Sequence, residues 1–261
     1  MNGQKLQGRV ALVTGAGRGI GRAIALAFAR EGASICISAR TQAELAGVVA
    51  EIQAGGGKAL AIEGDLAHSV VPEQVIRRTL DTFGTVDILV NNAGVASASD
   101  PRPLVEFRDE FWNMTLAVNL TAPYLLCKVL LPTLLAKKHG RIINIASLAG
   151  KVGLIHGSAY AASKHGLLGL TRSLALEVAD QGITVNAICP GPVRSIASDK
   201  RVSYDANRLG ISFEELESRI TPLGRRLAPE EITPLAVLLA SDESAAITGQ
   251  ALNVCGGTLM I

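Results

Sequence analysis

Seven short, almost continuously apolar runs punctuate the chain: RVALVTG (9–15), ASICISA (33–39), KALAIEG (58–64), VDILVNN (86–92), RIINIAS (141–147), ITVNAIC (183–189) and ALNVCGG (251–257). Longer helical patterns separate them. A strand buried on both faces lacks the polar alternation of a half-buried one, so this arrangement predicts a parallel sheet covered by helices on both sides. The expected fold is α/β and doubly wound. No linker or composition shift divides residues 1–261, which are read as a single domain. One long irregular connection is expected at about 191–230, with the charged helical piece SFEELESRI inside it. A connection of that length suits a substrate loop.

In an open parallel sheet, functional residues gather at the carboxyl ends of the strands. Thr14, Arg40, Asp65, Asn91, Ser147 and Pro190 occupy those ends.

Composition narrows the partners. Apolar residues make up 48% and charged residues 18% of the 261, with a formal net charge of +2. The cations are scattered, which argues against nucleic acid and for a small-molecule partner. Cys36, Cys127, Cys189 and Cys255 stand far apart in apolar contexts, and the four histidines are dispersed. Buried reduced thiols are expected, with neither a metal site nor a disulfide framework. The start has no run resembling a signal-peptide core. The most apolar helix, at 124–138, contains Lys128 and Pro132 and reads as too short to span a bilayer. A cytoplasmic protein without a membrane partner is expected.

Two stretches carry chemistry. TGAGRGIG (14–21) follows the first strand and opens a helix. Gly15, Gly19 and Gly21 permit a tight turn and the close approach of a pyrophosphate to the helix N-terminus. The same turn would also serve plain helix-to-strand packing. AYAASKHG (159–166) places Tyr160 and Lys164 on one helical face. That spacing suits a solvated pair, and it equally suits a phenol whose pKa a neighbouring cation lowers, readying it for proton transfer.

Taken in order, Thr14 to Gly21, NNAG (91–94), Asn119, Ser147 and Tyr160-x-x-x-Lys164 resemble the short-chain dehydrogenases/reductases, over about Gly8 to Gly257. The resemblance implies a Rossmann-type seven-stranded sheet and hydride transfer between a nicotinamide coenzyme and a carbonyl or secondary alcohol. It implies Tyr160 as proton donor and Lys164 as holder of the ribose hydroxyls that keeps the phenol acidic. It also implies that Ser147 donates to the substrate oxygen and that Asn119 helps hold a water linking the lysine to solvent. Coenzyme contacts implied by position are Gly15, Arg18, Gly19, Ile20, Gly21, Arg40, Asp65, Leu66, Asn91, Ala93, Gly94, Pro190, Gly191, Val193 and Ser195. A helix cap for Asp65 and a satisfied buried amide for Asn119 stay open.

NAD enzymes usually present a carboxylate at the end of the second strand, whereas NADP needs a cation there. Here Ala39 and Arg40 stand at that end, and Arg18 lies in the glycine-rich turn. Two guanidiniums suit a 2′-phosphate, so NADP(H) is favoured, with NAD(H) open. Within the family the chain is most similar to 3-oxoacyl-thioester and polyketide ketoreductases, on INIASLAGKVG, YAASKHG, GITVNAICPGPV and ITGQALNVCGG. A dehydrogenase of a secondary alcohol, sugar or cyclic ketone is the alternative, and a nucleotide-binding protein without turnover is the alternative of another class. Family members usually form homotetramers.

Overall fold

The computed structural model describes residues 4–261. All seven apolar runs form strands: β1 (Val10–Thr14), β2 (Ser34–Ala39), β3 (Ala59–Glu63), β4 (Ile88–Asn91), β5 (Gly140–Ile145), β6 (Ile183–Pro190) and β7 (Ala251–Val254). They make one sheet, ordered β3-β2-β1-β4-β5-β6-β7, with every pair parallel. The chain winds outward from β1 to β3 and then returns to lay β4 beside β1. That reversal opens a crevice at the carboxyl ends of the strands.

The helices are α1 (Gly19–Arg30), α2 (Gln42–Ala54), α3 (Val71–Phe83), α4 (Asp109–Leu116), α5 (Ala122–Lys137), α6 (Ser158–Val178), α7 (Ile196–Leu209), α8 (Phe213–Arg219) and α9 (Thr233–Ala240). Successive strand residues supply opposite faces. Ala11, Val13, Ile88 and Val90 pack with Ile24 and Phe28 of α1, Leu45 and Val48 of α2 and Leu239 of α9. Their neighbours Leu12 and Leu89 pack with Val75 and Ile76 of α3, Leu126 and Leu130 of α5 and Leu174 of α6. Both faces of the inner strands are therefore dry, which is why those strands read as unbroken apolar runs, whereas the edge strands β3 and β7 are only partly buried.

Two expectations are corrected. The apolar helix does not start at 124: α4, a wide π turn over Ala117–Thr121 and α5 run on as one 29-residue helix, Asp109–Lys137. By length and composition alone that helix suffices to cross a membrane. Asn119, Thr121 and Pro123 interrupt its apolar pattern and hide its true beginning. One face of α5, with Leu126, Leu130 and Leu134, packs in the core. The connection at 191–230, read as irregular, contains α7 as well as the expected charged helix α8. Ser195 caps α7 by accepting from Ser198 N at 3.0 Å, and Gly210 ends it at φ 69°. Only Val202 and Ala206 of α7 are buried, so its apolar pattern is too sparse to show in sequence.

Candidate active site

The glycine-rich turn joins β1 to α1. Gly15 and Gly19 adopt φ of 63° and 57°, a region that side chains disfavour. A Cβ on Gly15 would lie 2.7 Å from Ala93 Cα, whereas one on Gly19 would point into open space. Arg18 stands at the cap position of α1 without a side-chain capping bond, and the first turn, which includes Ile20 and Gly21, carries no acid. A helix start with uncapped N–H groups and room before it fits the pyrophosphate of a dinucleotide.

Beside the turn, Thr14 Oγ1 accepts from Asn92 N at 3.0 Å and Ala93 N at 3.1 Å. Asn92 Nδ2 donates back to the carbonyls of Thr14 and Gly15 at 2.8 and 3.0 Å. Asn92, which the sequence reading passed over, is thus the side chain that locks the turn to the end of β4. The Asn91 side chain turns into the core and donates to Asn144 Oδ1 at 2.8 Å, which leaves its backbone groups at the end of β4 for a ligand. Strand alternation is the reason, since neighbouring residues face opposite ways, and it was the available signal for Asn92. Gly94 borders the cavity described below.

Asp65 Oδ1 accepts from Ala67 N at 3.0 Å, the cap-like bond expected as its alternative. The Leu66 side chain lies in the core and leaves its backbone groups for a ligand. Arg40 is exposed just beyond β2.

A cavity of 610 Å³ opens at the carboxyl ends of the strands. Ile20, Asn92, Gly94, Ser147, Tyr160, Lys164, Pro190, Gly191, Val193 and Ser195 border it, joined on the α7–α8 side by Arg201, Asp205 and Leu216. Ser147 follows β5, and its hydroxyl stands near enough to the Tyr160 phenol to lower its pKa. Its Oγ also accepts from Ala149 N at 3.1 Å. Lys164, one turn after Tyr160 on α6, is buried and donates from Nζ to Ile145 O at 2.7 Å. The ammonium lies 5.8 Å from the centre of the tyrosine ring.

Burial dominates both titrations. It pushes the Tyr160 phenol above its ordinary value, with the Ser147 hydroxyl opposing. It pulls the Lys164 ammonium down to about 8. The lysine head donates to Ile145, and in this setting desolvation acts against the phenolate.

Asn119 sits in the π turn, a deviation that recurs at functional sites. Its Oδ1 accepts from Val95 N at 2.7 Å, and its Nδ2 donates to Val95 O at 3.1 Å and Ser163 Oγ at 3.0 Å. The amide is satisfied by protein groups, as its alternative reading held. It ties the segment after β4 to α6 and makes no hydrogen bond to Lys164. The four cysteines are buried free thiols.

Residues 9–205 match the model of the short chain dehydrogenase family, and the chain belongs to that family. It is 40% identical over 255 residues to the 3-oxoacyl-acyl-carrier-protein reductase of Escherichia coli, covering 98% of this chain and 99% of that one. It is 39% identical over 258 residues to the D-beta-hydroxybutyrate dehydrogenase of Cupriavidus necator, covering 97% and 98%. Its structure superposes on a variant of actinorhodin polyketide ketoreductase with NADPH at a TM-score of 0.90, with 37% identity and 99% of each chain covered.

Proposed function

We propose that the protein is an NADP(H)-dependent reductase of 3-oxoacyl thioesters or related ketones, working between a carbonyl and a secondary alcohol. The observation that carries this reading is the placement of Ser147, Tyr160 and Lys164 on one wall of a cavity that also borders the open start of α1. When bound, the nicotinamide supplies or accepts the hydride. A substrate carbonyl oxygen between Ser147 and Tyr160 receives a hydrogen bond from the serine, which favours the charge that develops there. Tyr160 donates the proton to that oxygen. A raised pKa keeps the phenol protonated until the alkoxide forms, the form that reduction requires. Lys164, titrating at about 8, holds the ribose hydroxyls and returns the proton to the phenol. Asn119 is a positioning residue that fixes the Val95 segment against α6.

The residues that would hold the coenzyme are Gly15, Gly19, Ile20 and Gly21 at its phosphates and Asp65, Leu66, Asn91, Ala93 and Gly94 along the adenosine. Pro190, Gly191, Val193 and Ser195 stand beside the carboxamide, and Arg18 and Arg40 at a 2′-phosphate. The reading includes a single domain, a cytoplasmic location and a homotetramer. Free buried cysteines support the location. Exposed Leu104, Val105, Tyr124 and Leu135 support burial against a second copy.

The second reading is a dehydrogenase of a hydroxy acid or other secondary alcohol, favoured by the Cupriavidus relative, which is as similar as the reductase. Loss of NADPH fluorescence with a 3-oxoacyl thioester and a cyclic ketone, and its gain with NADP and 3-hydroxybutyrate, separates the two. Fastest turnover of the thioester is expected. Faster oxidation of the hydroxy acid favours the second reading, and no turnover of any substrate leaves a nucleotide binder.

A further inference from the structure

Sequence places no carboxylate at the end of β2, the ground for preferring NADP(H). The fold brings one there from another element. Glu44, in the first turn of α2, lies against the glycine-rich turn: its Oε2 stands 2.7 Å, and its Cβ 3.0 Å, from where a Cβ on Gly17 would be. Ala39 Cβ, at the end of β2, is 3.6 Å from the same point. Oε1 faces Arg18 Nη1 at 3.3 Å. The carboxylate thus fills the wedge between the turn and β2, with the Arg18 guanidinium on its outer side.

An acid in the first turn of a helix is favoured by the dipole alone. That does not account for where this one is seated. A Cβ at position 17 would crowd both Oε2 and Cβ of Glu44, so the glycine there leaves room for the acid in this seat. The side chain is 34% exposed, whereas that of Arg18 is 66% exposed, so the acid is the sheltered member of the pair.

We propose that Glu44 is a coenzyme-selecting residue whose carboxylate stands at the adenosine 2′ position, where it accepts from a ribose hydroxyl and opposes a phosphate. The inference rests on the coenzyme reading above, and it changes what that reading implies. Arg18 and Arg40 attract the 2′-phosphate, but Arg18 must exchange Glu44 for it. Two cations and one carboxylate leave a net charge of +1 at the subsite, half of what the arginines alone provide. The protein therefore binds both NADPH and NADH, with a preference for NADPH well below what two arginines would set. Removing the charge of Glu44 sharpens that preference.

The test is calorimetric titration of NADPH and NADH into wild type, Glu44→Gln, Glu44→Ala and Arg40→Ala, with circular dichroism to check that each variant is folded. Glu44→Gln is expected to tighten NADPH and weaken NADH, moving the ratio of their dissociation constants about tenfold or more toward NADPH, a change of at least ~1.4 kcal/mol. Glu44→Ala should shift the ratio the same way. A merely structural role would move both coenzymes together. An unchanged ratio in both folded variants overturns the proposal. Failure of the coenzyme reading looks different: wild type prefers NADH, and Arg40→Ala alters both coenzymes equally. Even then, Glu44→Gln must weaken NADH more than NADPH, or the proposal falls.

Discussion

Tyr160 keeps its proton because its surroundings disfavour the phenolate, and Ser147 is the group that limits this effect. Tyr160→Phe retains the ring and removes only the hydroxyl. Its expected outcome is a fall in kcat of about 10²–10⁴, with the NADPH dissociation constant within about twofold of wild type by titration. Lys164 makes a separate, thermodynamic prediction. Its ammonium is buried and titrates at about 8, against 10.5 for a free lysine. Between those values the unfolded chain binds more protons than the native one, so stability rises with pH across the window, and below about pH 8 the burial cost is carried in full. Relative to Lys164→Met, wild type should gain on the order of 1–2 kcal/mol between about pH 7.5 and 9.5, read from urea midpoints at the two pH values. A constant difference would place the ammonium in a better-solvated site. The Tyr160 to Lys164 spacing was legible because one helical turn fixes it. The direction of the tyrosine shift was not, because desolvation depends on what α6 packs against.

The helices α7 and α8 are fastened to each other by Arg226, which is 5% exposed. It pairs with Asp199 on α7 at 2.6 Å and with Glu217 on α8 at 2.9 Å, and its guanidinium lies 5.4 Å from the Phe213 ring centre. Charge-assisted bonds of this kind contribute about 1.5–3 kcal/mol. Arg226→Ala should let the pair splay and raise KM for the thioester roughly tenfold, while NADPH affinity is unchanged. A lower NADPH affinity of similar size would mean that the pair also supports the coenzyme. None of this partnership showed in the chain order, where Arg226 stands 27 residues after Asp199 and past the end of α8. The inner strands were legible because two-sided burial leaves an apolar run. The role of Asn92 in locking the turn was missed because adjacent residues of one type differ only in which face they occupy. Glu44 was missed because its neighbours at Gly17 and Arg18 lie 26 or more residues earlier in the chain.

The whole molecule has two unlike ends. Where the strands finish lie the turn, the phenol, the buried lysine and the α7–α8 pair. Where they begin lies a polar cluster: Arg9 and Arg141 pair with Asp242 at 2.8 and 2.9 Å, and His139 Nε2 lies 3.0 Å from the same carboxylate. Nearby, Asp87, before β4, pairs with Lys137 and accepts from Val10 N at 2.8 Å. Asp87→Ala strands that buried N–H and should cost about 1–3 kcal/mol, read as a fall of a few degrees in Tm. Its kcat/KM should match wild type, and a changed kcat/KM would show strain passing along the sheet. The separation leaves an engineer two independent controls. Substitutions where strands begin adjust how long the protein survives heating. Those where strands finish adjust what it reduces, and the rigid sheet between them keeps one adjustment from undoing the other.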